Sequence, residues 1–129
     1  MRVSTPQDGF APLVSALRNG EIVTLLVDGN VYSRSLPAEF FGRRVAFPAG
    51  PAILARRARV AIIHGHAVRG PGGDHEFCFD GLDEPDFSLP LADDLRRLTA
   101  GVARAQERNI AAHVDQWCIF RPIWGTDAA

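Results

Sequence analysis

The chain has 129 residues, a length that suits one domain able to bury roughly two thirds of its unfolded surface. Hydrophobic residues make up 47% and charged residues 22%, which excludes a disordered chain, and the net charge of −1 gives no general affinity for polyanions, so nucleic acid is not an expected partner. All 14 basic residues are Arg, and Arg43, Arg44, Arg56, Arg57 and Arg59 crowd one region of the chain.

Residues 1–9 are polar and turn-rich and predict an arm. From Phe10, the apolar positions Phe10, Leu13, Val14 and Leu17 recur at helical spacing, and Asn19-Gly20 supplies the stop. Residues 21–27 form a nearly continuous apolar run, which predicts a strand covered on both faces. It ends at Asp28-Gly29-Asn30, where a carboxylate would emerge at the mouth of a sheet, the place where ligands gather in α/β folds. A second reading of Asp28 is a turn-forming Asp-Gly with no further role.

A polar loop leads to two short segments, 37–41 and 45–47, around Gly42-Arg43-Arg44, which predict a hairpin. Residues 50–58 predict a helix with Ile53 and Leu54 inward, Pro51 being tolerated in its first turn. Residues 60–68 predict the second long strand, 70–74 a turn, and 75–79 its antiparallel partner. An acidic, Pro-containing connector, 80–90, precedes a long helix running to about residue 113. Leu91, Leu95, Leu98, Val102 and Ala105 mark its apolar face, and Asp93 and Asp94 suit its positive N-terminal end. The expected fold class is α/β, a mixed sheet flanked by helices, in a single domain.

Cys78 and Cys118 stand far apart without a CxxC pattern, so neither a disulfide framework nor a zinc knuckle is expected, and the compartment reads as reducing. No apolar run is long enough to cross a bilayer, and the N-terminal residues lack the apolar stretch of a signal peptide. Strand alternation places Val60, Ile62, His64, His66 and Val68 on one face. Pairing Arg69 with Asp74 would add His75, Phe77 and Phe79 to it, bringing three imidazoles together. An acceptor-binding wall, a metal site and a set of hydrogen-bonded histidines all fit that pattern; a fourth ligand is not evident, so no metal is assigned. No P-loop, dinucleotide fingerprint or nucleophile elbow is present, and no cofactor is expected.

Three segments in order, LLVDGN (25–30), FFGRR (40–44) and FPAGPAILARR (47–57), resemble the second half of the bacterial lipid A biosynthesis acyltransferases, within the wider lysophospholipid acyltransferases. Glu107, Ile110, Gln116-Trp117, Arg121 and Trp124 resemble that family's closing segments, so the resemblance spans about residues 13–124. It implies transfer of a fatty acyl group from an acyl carrier protein or coenzyme A thioester to a hydroxyl of a lipid or glycolipid. It also implies a bacterial cytoplasmic protein in peripheral contact with the inner membrane. The substrate-facing residues it implies are Asp28, Arg34, Phe41, Gly42, Arg43, Arg44, Gly50, Arg56 and Arg57. The family's general base belongs to a His-x4-Asp/Glu pair lying well upstream of the LLxD strand. His75 and Asp80 share that spacing, but on a strand residues five apart face opposite ways. No catalytic residue is therefore assigned, and the isolated chain is expected to be inactive, with a separately encoded N-terminal half as one partner. The alternative is a non-catalytic module that grips an acyl carrier or an anionic lipid head group through its arginines. A half-domain should also leave an apolar face exposed along residues 21–27.

Overall fold

The computed structural model describes residues 8–27, 34–119 and 122–124. Most of the predicted arm, Asp28 with its loop, and Arg121 lie outside the described residues. The elements run α1 (Ala11–Arg18), β1 (Ser35–Phe40), β2 (Arg43–Pro48), α2 (Gly50–Ala58), β3 (Ile62–Arg69), β4 (His75–Asp83) and α3 (Leu91–Ala112), with a short 3-10 turn at Val114–Gln116. The class is mixed α/β as the sequence predicts, with the strands forming two antiparallel hairpins, β1–β2 and β3–β4.

The first hairpin alternates through its middle. Ala38, Phe40, Val45 and Phe47 point inward, while Pro37, Glu39, Arg44 and Ala46 face outward. The inner residues meet Val102, Ala103 and Ile110 of α3, and Trp117 and Trp124 pack against the same cluster. This is the core that fixes the hairpin. α2 starts at Gly50-Pro51 and turns its small apolar face, Ala52, Leu54, Ala55 and Ala58, inward. Arg59 ends it in the left-handed conformation at φ 60°.

Residues 21–27 do not form the predicted strand and belong to neither sheet. The period-two pattern survives, since Val23, Leu25 and Val27 are half-buried while Ile22 is 94% exposed. A strand exists only by pairing, and an apolar run does not supply its own partner. Ile22 and Leu26 therefore form an exposed apolar side on this segment.

The second hairpin also departs from expectation. Arg69 pairs with His75 rather than Asp74, because five residues, 70–74, make the turn. That one-residue change of register carries His75, Phe77 and Phe79 to the face opposite His64 and His66. An irregularity at His64/Gly65 leaves Asp80 without a partner in the ladder. In α3, Leu91 is exposed where the helical pattern placed it inward, and Asp94 is completely buried.

Candidate functional site

The Phe-Phe-Gly-Arg-Arg segment is the turn of the first hairpin. Phe41 and Gly42 both have positive φ, 50° and 69°, the handedness that matches the twist of a two-residue hairpin loop. Nothing lies within 4 Å of where a Gly42 side chain would be, so glycine serves the backbone angle there and not a close approach. Phe41 accepts the same strained geometry because three contacts hold it. Its amide donates to Glu107 Oε2 at 2.8 Å, and its ring meets Phe40 and Trp124 at 4.8 and 6.4 Å between centroids. The indole of Trp124 also donates to the Phe40 carbonyl at 3.3 Å. Phe40 itself lies among Phe47, Trp117 and Trp124, at 5.6, 6.4 and 6.2 Å.

Gln116 performs the matching service for the second hairpin. Its carboxamide oxygen accepts from the Arg69 amide at 2.7 Å while its nitrogen donates to the Arg69 carbonyl at 3.1 Å, the pattern of a neighbouring strand. Glu107, Gln116 and Trp124, which the sequence marked only by resemblance, are therefore the residues that tie α3 and the C-terminal segment to both hairpins.

The arginines do not form one patch. Arg43 opens β2 opposite Phe40, and Arg44 stands opposite Glu39 on the exposed face. Arg34 is exposed just ahead of β1, where its carbonyl accepts from the Ala49 amide at 3.1 Å. Arg56 is at the far end of α2 and its guanidinium is committed internally. One nitrogen meets Asp94 Oδ2 at 2.7 Å and the Asp86 carbonyl, and another donates to the Leu89 carbonyl at 3.2 Å. Asp94 also accepts from the Asp86 amide at 3.1 Å and from Arg97, whose closest approach is 2.6 Å. The Phe87 ring sits 4.3 Å from the Arg56 guanidinium and 4.5 Å from that of Arg59. This clasp pins the acidic connector across α2 and α3, which the sequence, with partners 30 and 38 positions from Arg56, did not reveal.

Arg57 remains on the surface, and its carbonyl accepts from the Arg18 guanidinium at 3.1 Å. The two line a shallow groove with Ala11, Val14, Ser15 and Asn19, so its lining holds two cations and no acid. Gly50 is buried and its backbone lies under the Phe10 ring, a packing position without a polar side chain.

The histidines divide as the corrected register requires. His64 is buried, and its Nε2 lies 2.9 Å from Asp83 Oδ2. Asp83 in turn lies against Gly101, where any side chain would begin 2.1 Å from its Oδ2. The His66 ring lies 5.6 Å from that of His113, tilted by 35°, with its Nδ1 buried and without a hydrogen-bond partner among the described residues. His75 is on the other face, so the three-imidazole surface does not form. No cluster of three His, Cys, Asp or Glu among the described residues is arranged to hold a metal. The Ser88 hydroxyl and then the Ser88 amide hold Asp86 below the usual carboxylate value.

A hairpin turn of positive-φ Phe-Gly, pinned by Glu107 of α3 and by Trp124, and followed by a Gly-Pro-initiated helix, is the best-held backbone feature of the site. Residues 1–126 match the family described as bacterial lipid A biosynthesis acyltransferase, and the chain belongs to that family. Two phosphatidylinositol mannoside acyltransferases, from Mycobacterium tuberculosis strains CDC 1551 / Oshkosh and ATCC 25618 / H37Rv, are each 29% identical over 119 residues. The match covers 92% of this chain and 35% of each relative, so the chain spans about a third of the length of the curated relatives it matches. Among the described residues no helix is long and apolar enough to cross a membrane.

Proposed function

We propose that the chain is one part of an acyltransferase that moves a fatty acyl group from an acyl-carrier or coenzyme A thioester to a hydroxyl of a lipid or glycolipid. The observation that carries this reading is the pinned turn at Phe41-Gly42 within a family match over residues 1–126. In the reaction, the acceptor oxygen forms the new ester bond to the acyl carbon and the carbon–sulfur bond breaks. The hydroxyl proton passes to a base and then to the departing thiolate. The base is supplied by the His-x4-Asp/Glu pair of the family's other part. This chain contributes Arg34, Arg43, Arg44 and Arg57 toward anionic groups of donor or acceptor, with Asp28 at the mouth of the site. Phe41 and Gly42 shape the turn, whereas Gly50 and Arg56 hold the scaffold. The enzyme works at the cytoplasmic face of the inner membrane as a peripheral protein. The test is acyl transfer followed by mass spectrometry, with the purified chain alone and with the remainder of a longer relative added. Transfer only in the mixture supports the reading, with Arg44→Ala lowering kcat/KM about tenfold for the loss of one charge-assisted contact. Transfer by the chain alone, or none in the mixture, would refute it.

The Arg18 and Arg57 groove favours a second reading, a non-catalytic module that binds an acyl carrier or an anionic head group. It requires Arg57→Ala to weaken binding to acyl carrier protein or to anionic vesicles when no transfer occurs under any condition.

A further inference from the structure

We infer that the outer face of the β3–β4 ribbon is a docking surface for another polypeptide segment, namely the part of the longer relatives that has no counterpart in these 129 residues. The inference rests on the reading of this chain as one part of an acyltransferase. On that face Ile63 stands opposite Leu82, Gly65 opposite Phe79 and Ala67 opposite Phe77. Ile63, Phe77, Phe79 and Leu82 are 67, 72, 75 and 59% exposed. The Phe79 ring lies over Gly65, 3.0 Å from where a side chain would start, so the ring covers the backbone of the neighbouring strand. With two phenylalanines contributing most of it, the patch reaches on the order of 400–500 Å², near the top of what a monomer leaves uncovered.

The opposite face is already occupied, since His64 is buried there and Asp83 lies against Gly101 of α3. A sheet whose one face packs on a helix while the other is apolar and bare has room for a second layer, and only one layer is present among the described residues. Among the described residues each strand of the ribbon also has a single pairing partner, an arrangement that is marginal without further support. Three occupants compete for the face. Its rim carries both signs, with Arg69 and His75 at one end, Asp80 at the irregularity and Glu84 just past the other end, whereas an anionic lipid surface selects a basic rim. A second copy would pair this patch with itself, and the patch falls short of the roughly 800 Å² per partner of a standard interface. The relatives, by contrast, match over only 35% of their length, so a segment longer than this chain is there to cover both the face and the free edges.

The experiment uses the full chain, its Phe77→Ser/Phe79→Ser variant, and the unmatched part of the Mycobacterium tuberculosis phosphatidylinositol mannoside acyltransferase expressed separately. Amide exchange is followed at residues 62–69 and 75–83 before and after mixing. Because both rings are exposed, the variant should keep its Tm. The expected result is at least about tenfold slower exchange in the ribbon on mixing, and about tenfold weaker association for the variant. Exchange unchanged by mixing overturns the proposal. So does a concentration-dependent dimer of the chain that the variant abolishes, which would make the occupant a second copy. Ribbon protection by phosphatidylglycerol vesicles and not by the polypeptide would also overturn it and give the face to a membrane. Acyl transfer is read in the same mixtures. Docking without transfer leaves this surface standing and sinks the proposed function, whereas transfer that the variant does not impair removes the surface and leaves the function.

Discussion

Replacing Asp94 with Asn leaves the Arg56 guanidinium, 12% exposed, facing a neutral amide across what was a 2.7 Å ion pair. Removing one member of a buried pair costs about 3–5 kcal/mol, because the remaining charge keeps its desolvation penalty and loses its compensation. Arg97 is 39% exposed and reaches solvent, so its contact with Asp94 adds no more than about 0.5–1 kcal/mol. At roughly 2.1 cal/mol/K per residue, the unfolding entropy of 129 residues is near 0.27 kcal/mol/K, and a loss of about 3–5 kcal/mol lowers Tm by about 11–18 °C. Urea titration of Asp94→Asn should show a lower midpoint at an unchanged slope. The double variant Asp94→Leu/Arg56→Met, which removes both charges and keeps the volume, should recover most of the loss. If Asp94→Asn lies within about 0.5 kcal/mol of the parent protein, the cluster is not the strut described above.

Gly101→Ala forces a side chain into the place of Asp83 Oδ2, at 2.1 Å, and should cost about 1–3 kcal/mol in chemical denaturation; in an Asp83→Ala background the same change should cost less than about 0.5 kcal/mol. Gln116→Ala removes both bonds to the Arg69 backbone, and should speed exchange of the Arg69 amide while lowering stability by about 1–2 kcal/mol. Because the acidity of Asp86 is increased by Ser88, its share of stability is present above the ordinary pKa of 3.8 and is lost as pH falls through the lower folded value. Carboxyl-carbon NMR should find that Ser88→Ala raises the Asp86 midpoint toward 3.8, and an unmoved midpoint would remove Ser88 as the cause.

The hairpins, α2 and α3 were legible because each carries its signal within a few residues: Phe-Gly at a turn, Gly-Pro at a helix start, apolar positions at 3.6-residue spacing. What was not legible depended on distance or on counting. Residues 21–27 have the composition of a strand, but pairing is a property of two segments. The turn at 70–74 has the expected bounds, but the expected pairing of Arg69 with Asp74 is off by one residue, and the two-residue period of a strand converts that error into the wrong face for His75, Phe77 and Phe79. The arginines look alike in sequence, yet Arg56 is a buried strut and Arg57 a surface cation, a difference set by Asp94, 38 positions from Arg56. Asp94 itself was read as a helix-end charge, because local rules see the helix and not the arginine arriving from α2. Asp28 falls outside the described residues, and its part in the site stays with the proposal.

The grip of the C-terminal segment on the first hairpin sets an order for assembly. Phe41 and Glu107 are 66 positions apart, and Phe40 and Trp124 are 84 apart. At a synthesis rate of about 5–20 residues per second, the hairpin waits roughly 4–17 s for the tryptophan that holds its turn. For most of that interval Phe40 and Phe47 have neither α3 nor the indoles to cover them, and a left-handed phenylalanine has no restraint. The nascent chain is therefore most exposed to misassociation while its turn is already synthesised and its clamp is still being translated.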